Sequence, residues 1–234
     1  MRNELLIIIP AYNEAENIEA TVEQIRRFAP GCDYIVVNDG SSDRTAAICR
    51  NRRYRMIDLP INVGLTHAVK AGMMYAYEEG YEYAMQFDGD GQHDARCIAP
   101  LLDAVKSGEC DIAIGSRYLQ FKPKLNARGL GSRILSALIR ITSKQRLTDP
   151  TSGMRLYNRP IINLYASKAN INPEPDTISY LIRCGVRVKE VPVEMRERTG
   201  GKSKFSTMSS IDYMVRIAFS LCFVQWFRKR DALL

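Results

Sequence analysis

Apolar residues gather in short runs along the first half of the chain, and between the runs they recur with a helical period. The run Leu5-Leu6-Ile7-Ile8-Ile9 is unbroken and reads as a buried strand. The pattern predicts further strands over 34–37, 54–59, 83–87 and 111–115, with helices over 13–28, 43–51, 66–80 and 95–107. Asn13, with Glu16 three positions on, has capping-box spacing, and Gly80 suits a helix C-terminus. This alternation is the signature of βα units around a mostly parallel sheet. Binding sites in such sheets lie outside the carboxyl ends of the strands. Three polar clusters fall there: Pro10 to Glu14, Asp39 with its neighbours, and Asp88 to Gln92.

The second half changes character. Residues 118–130 read as loop, 132–142 as a basic amphipathic helix and 148–153 as a tight turn. A helix is predicted over 176–184, stopped by Gly185, and an alternating strand over 186–195. Residues 211–227 make an apolar helix with a thin polar stripe of Asp212, Arg216 and Ser220. It would be about 26 Å long, slightly short for a hydrocarbon core of roughly 30 Å. With Trp226 at its end and Arg228-Lys229-Arg230 following, it reads as an interfacial helix on anionic lipid or against a membrane-protein partner. Docking on the chain's own domain is the alternative. The expected division is one domain over 1–205 and a C-terminal amphipathic helix, membrane- or partner-associated, over 206–234.

Composition narrows the partners. The net charge of +7 suits phosphorylated substrates, anionic lipid or nucleic acid, but no nucleic-acid-binding signature accompanies it. The six cysteines show neither a CxxC pair nor zinc spacing, and read as reduced thiols of a cytoplasmic protein. The first apolar run lacks a basic segment before it and is too short for a signal peptide or a membrane span. Oligomeric state stays open, a homo-oligomer included.

The chemistry concentrates in Phe87-Asp88-Gly89-Asp90-Gly91-Gln92-His93-Asp94, at the end of the strand predicted over 83–87. Two Asp one residue apart can share a hard divalent cation, which in turn attracts a diphosphate. An Asp/Gly-rich turn is the plainer reading of the same residues.

Further motifs accompany it: Ile9-Pro10-Ala11-Tyr12-Asn13-Glu14, Val36-Val37-Asn38-Asp39-Gly40-Ser41-Ser42-Asp43 and Glu190-Val191-Pro192-Val193. Together they resemble family 2 glycosyltransferases. Gly115-Ser116-Arg117-Tyr118, Asp149-Pro150-Thr151-Ser152-Gly153 and the R-x-x-G-x-S-K pattern from Arg198 to Lys204 are most similar to dolichol- and polyprenyl-phosphate sugar synthases.

The resemblance implies a GT-A-type, Rossmann-like three-layer sandwich and an inverting hexosyltransferase of cell-surface glycan synthesis. It implies a UDP- or GDP-sugar donor and a lipid-linked acceptor, foremost polyprenyl phosphate, used peripherally at the inner face of the cell membrane. Pro10, Tyr12, Glu14, Asp39 and Asp88 correspond to nucleotide contacts, with Asn38 where the family often has Asp. Asp88, Asp90 and Gln92 correspond to the site for Mg²⁺ or Mn²⁺. Arg117 and Arg133 correspond to the acceptor phosphate, and Arg198 and Lys204 to the donor diphosphate. Asp90, Arg117 and Asp176 are the candidate catalytic residues.

A phosphate acceptor is already ionised at neutral pH, whereas a sugar hydroxyl needs a base, for which Asp176 is the candidate. A non-catalytic nucleotide-sugar-binding subunit of a membrane complex is the other alternative. A nucleotidyltransferase is disfavoured, since no Gly-rich, Lys-containing phosphate loop opens the chain.

Overall fold

A computed structural model describes residues 4–120, 127–195 and 207–227. The strand Leu5–Ala11 (β1) is buried at every position and lies between two parallel neighbours, Asp33–Asp39 (β2) and Tyr83–Gln86 (β4). Met56–Leu59 (β3) extends the sheet beyond β2. On the other side Arg155–Asn158 (β6) runs antiparallel to both β4 and Ile112–Ser116 (β5), and Val188–Pro192 (β7) pairs parallel with β5. The order is β3-β2-β1-β4-β6-β5-β7.

Side-chain alternation along β1 divides the core into two layers. Leu5, Ile7 and Ile9 face Ile18–Phe28 (α1), Thr45–Asn51 (α2) and Ile98–Lys106 (α4). Leu6 and Ile8 face Leu65–Glu78 (α3), Ala127–Ser143 (α5), Arg159–Ser167 (α6) and Pro175–Arg183 (α7). Gly72 lets α3 lie directly on β1, because a Cβ there would collide with Ile8.

The sequence pattern locates most elements and misplaces some ends. Asn13 caps no helix: it has φ 56°, and α1 starts only after Asn17. α2 begins at Thr45 and not at Asp43, α5 extends beyond 132–142, and β7 is shorter than 186–195. The helix α6 was not foreseen. Its signal is local: the Asn158 side chain accepts from the Ile161 amide at 3.2 Å, and Pro160 sits in the first turn.

The C-terminal segment is helical over Thr207–Phe219 (α8), turns through a π-helical Ser220–Val224 and ends in Gln225–Phe227 (α9). It packs on α5 and α7. Ile217 and Leu221 enter the core layer beside α3, and Gln225 is buried as well. A Cβ at Gly131 would collide with Met214, so that glycine lets α5 and α8 approach. The opposite face leaves Val215, Phe219, Phe223, Trp226 and Phe227 exposed. The segment therefore both docks on the domain and presents apolar surface outward. Among the described residues, no helix is long and apolar enough to cross a membrane.

Candidate active site

The loops after β1, β2 and β4 meet at one edge of the sheet. Asn13, in its left-handed conformation, accepts the Ser42 amide at 2.9 Å, while its own amide donates to Ser41 Oγ at 2.9 Å. The Glu14 amide donates to Thr45 Oγ1 at 2.9 Å, and the Ala15 amide to Asp43 Oδ2 at 3.0 Å. Burial favours the neutral acid of Asp43, but hydrogen bonds from Thr45 and Ala15 outweigh it and hold this carboxyl below its usual range. Tyr12 and Glu14 are half-buried on the laced loop, and the buried Pro10 accepts the Gly89 amide at 3.3 Å through its carbonyl. These bonds tie the first loop to both of the others.

Asp39 is buried and supports the segment before α3. Its oxygens accept from Val63 N at 2.7 Å, Gly64 N at 3.1 Å and Asn62 Nδ2 at 2.9 Å, fixing the lead-in to α3 rather than capping α2. Gly40 allows this approach: φ is +62°, and a Cβ would strike the Ile61 carbonyl carbon.

Asp88 and Asp90 emerge from β4 only partly buried. Asp88 Oδ1 accepts from Gln86 Nε2 at 2.9 Å, and Asp90 Oδ1 accepts from the Gln92 amide at 3.1 Å. Buried His93 folds back so that Nδ1 accepts the Asp88 amide at 3.0 Å, with Nε2 3.6 Å from Asp88 Oδ2. It therefore shapes the loop from behind. His93 also bridges Met195, and Arg198 and Lys204 follow it in the sequence. Those two residues lie outside the described residues.

The donors in this loop are oxygens, the type that hard divalent cations take. Two carboxylates and the Gln92 carboxamide are hard oxygen ligands, and no cluster of three or more His, Cys, Asp or Glu that could hold a metal exists among the described residues. Such a partial set suits Mg²⁺ or Mn²⁺, which complete their shells with water and phosphate.

The second wall comes from the other half of the chain. Arg117, just past β5, grips the fully buried Asp149 with Nε at 2.6 Å and Nη2 at 2.7 Å. Burial lowers the Arg117 pKa, yet pairing with Asp149 leaves it raised, and Asp88 is near enough to contribute. Glu190 fixes the same turn by accepting the Thr148 and Asp149 amides at 2.8 Å. Gly153 closes it against Asp88, whose Oδ2 a Cβ would strike. Glu190 was legible only as part of a motif, without a role.

The other two expected site residues lie on helices. Arg133 occupies an exposed position on α5. Asp176, in the first turn of α7, is buried between that helix and the C-terminal segment, where Oδ2 accepts from Ser220 Oγ at 2.6 Å. Nearby Tyr213 has its pKa pushed up to about 12 by burial and by the neighbouring Glu174 and Asp176 carboxylates.

The sequence and the mostly parallel seven-stranded sheet both have matches among known proteins. The sequence profile of Glycosyl transferase family 2 matches residues 6–165. The chain belongs to this family. The glycosyltransferase is 31% identical over 226 residues to a polyprenol monophosphomannose synthase of Mycolicibacterium smegmatis, covering 91% of this chain and 85% of that one. It is 32% identical over 214 residues to an undecaprenyl-phosphate mannosyltransferase of Micrococcus luteus, covering 86% and 87%. Its fold matches glucosyl-3-phosphoglycerate synthase from Mycobacterium tuberculosis with a TM-score of 0.68 at 18% identity, over 94% of this chain and 80% of the other. A mannosyltransferase from Pyrobaculum calidifontis, solved with GDP-Man and Mn²⁺, gives 0.67 at 16% identity over 96% and 65%. The fold of this glycosyltransferase is thus GT-A.

Proposed function

We propose that this glycosyltransferase moves a hexose from a UDP- or GDP-sugar onto polyprenyl phosphate, with inversion, in cell-surface glycan synthesis. The observation that carries the reading is the forked pairing of Arg117 with buried Asp149, which holds a permanent cation near the Asp88 carboxylate. Nε and Nη2 are engaged by Asp149, and Nη1 is left for an anion. The names of the relatives, two of them polyprenyl-phosphate mannosyltransferases, support the same acceptor.

In this reading an acceptor phosphate oxygen attacks the anomeric carbon as the bond to the donor diphosphate breaks. Arg117 holds the acceptor, and the phosphate needs no base. The placement of Asp176 under the C-terminal segment, accepting from Ser220, favours the phosphate acceptor over a hydroxyl. The loops carrying Pro10, Tyr12, Glu14 and Asp39 form the nucleotide side. Asp88, Asp90 and Gln92 would hold Mg²⁺ or Mn²⁺, which would supply charge neutralisation to the leaving diphosphate. Arg133, Arg198 and Lys204 add cationic residues to the phosphate side. The exposed apolar face of the C-terminal segment, flanked by Arg216, suits a peripheral position at a membrane. The six free thiols fit its cytoplasmic side.

Calorimetry with UDP, GDP, CMP and ADP, with and without Mn²⁺, tests the donor. One nucleotide should bind in a Mn²⁺-dependent manner, and Asp90→Ala should abolish that dependence and lower turnover by about 10²- to 10³-fold, the usual cost of losing one preorganised electrostatic contact. Absence of nucleotide binding would move the weight to a subunit that needs a membrane partner. Asp176→Asn should retain donor binding and turnover; loss of turnover alone would favour a hydroxyl acceptor with Asp176 as base.

A further inference from the structure

Arg155 opens β6 and is only 2% exposed. Taking a guanidinium out of water is costly, and an apolar side chain could fill the space without that cost. The placement of its donors shows what an apolar residue could not do. Nη2 donates to the Pro150 carbonyl at 2.7 Å, Nε to the Ser152 carbonyl at 2.8 Å and Nη1 to the Pro173 carbonyl at 2.9 Å. One planar fork therefore joins two loops that are remote in sequence.

Both loops lead to the site. Pro150 and Ser152 belong to the turn that carries Asp149 at one end and Gly153 at the other. Asp149 holds Arg117, and Gly153 backs Asp88. Pro173 precedes Glu174, which accepts from Thr66 Oγ1 at 3.0 Å and so ties the start of α7 to the start of α3. The turn is held from one side by Glu190 and from beneath by Arg155.

We propose that Arg155 is a positioning residue: by clamping the Pro150, Ser152 and Pro173 carbonyls it sets the spacing between Arg117 and Asp88. In the proposed reaction, on which this inference rests, that spacing separates the acceptor phosphate from the donor diphosphate. Lysine cannot replace it, because an ammonium is a point donor that cannot serve three carbonyls in one plane.

The test compares wild type with Arg155→Lys by thermal melting, by nucleotide calorimetry with Mn²⁺ and by transfer to polyprenyl phosphate in vesicles. The variant should fold and bind nucleotide within a few-fold of wild type. Its kcat should fall about 100-fold, since a misplacement near 1 Å costs that much. A purely structural role would lower Tm and leave kcat per folded molecule unchanged at low temperature, and that result overturns the proposal.

If Arg155→Lys does not fold, ¹⁵N-arginine NMR of the wild type decides. The Arg155 Nε–H resonance should shift on adding nucleotide with diamagnetic Mg²⁺ and again on adding polyprenyl phosphate. A resonance indifferent to both overturns the proposal. Wild type that binds no nucleotide would remove the donor reading and this inference together. Wild type that binds and transfers, matched by Arg155→Lys, would remove this inference alone.

Discussion

The two sides of the site are held together by different means. On the side proposed to hold the nucleotide, the loops after β1 and β2 are laced by hydrogen bonds from backbone amides to Asn13, Asp39, Asp43 and Thr45, of which Asn13 and Asp43 are exposed to water and Asp39 and Thr45 are buried. On the Arg117 side, the turn is held by Glu190 and by two buried ionisable groups, Asp149 and Arg155. A net hydrogen bond contributes about 1 kcal/mol, whereas leaving a buried charge without its partner costs several times that. The nucleotide side should therefore tolerate single substitutions that the Arg117 side does not.

Asp149→Ala is the most severe test of this contrast. Breaking a buried pair costs about 3–5 kcal/mol, and because Arg117 is one-third exposed the lower end, about 3 kcal/mol, is expected in urea unfolding. A loss below about 1 kcal/mol would erase the distinction. Gly40→Ala should cost about 2 kcal/mol, since it imposes a positive φ on alanine and drives a Cβ into the Ile61 backbone. It should also weaken nucleotide binding while leaving kcat at saturation close to wild type. Equal effects on both parameters would mean that the two walls are mechanically coupled.

The smallest effect belongs to Asp43. Its carboxyl is held below 3.8, so its contribution is complete above that pH and disappears as pH falls through the lower folded value. The stability difference between wild type and Asp43→Asn should be about 1 kcal/mol or less at pH 7 and vanish in strong acid. A difference that stays constant down to pH 2 would mean that the charge plays no part.

The same contrast explains what could be seen in the sequence. In the first half, apolar runs and helical periodicity locate β1 to β5 and the helices between them, and the Asp88 to Gln92 cluster stands out at the end of β4. Asn13 misleads because its side chain serves a loop twenty-nine residues away rather than its own helix. In the second half, β6 is only four residues long and α6 follows it without a break, so the period changes before a pattern can develop. The roles of Glu190 and Arg155 depend on contacts between distant loops. Such contacts leave no local signature, although a charged residue inside an otherwise apolar strand segment, as at Arg155-Leu156-Tyr157, was a visible clue.

The antiparallel β6 also bears on how the chain assembles during synthesis. β1 to β4 can complete their share of the sheet in the order in which they leave the ribosome, but β5 pairs only with β6 and β7, both made later. Until β6 emerges, β5 has no neighbour on either edge, and an unpaired apolar strand is a template for wrong association. β6 is thus a seam between an early and a late folding unit. Its amides should be among the slowest to exchange with deuterium, opening only when the whole molecule unfolds.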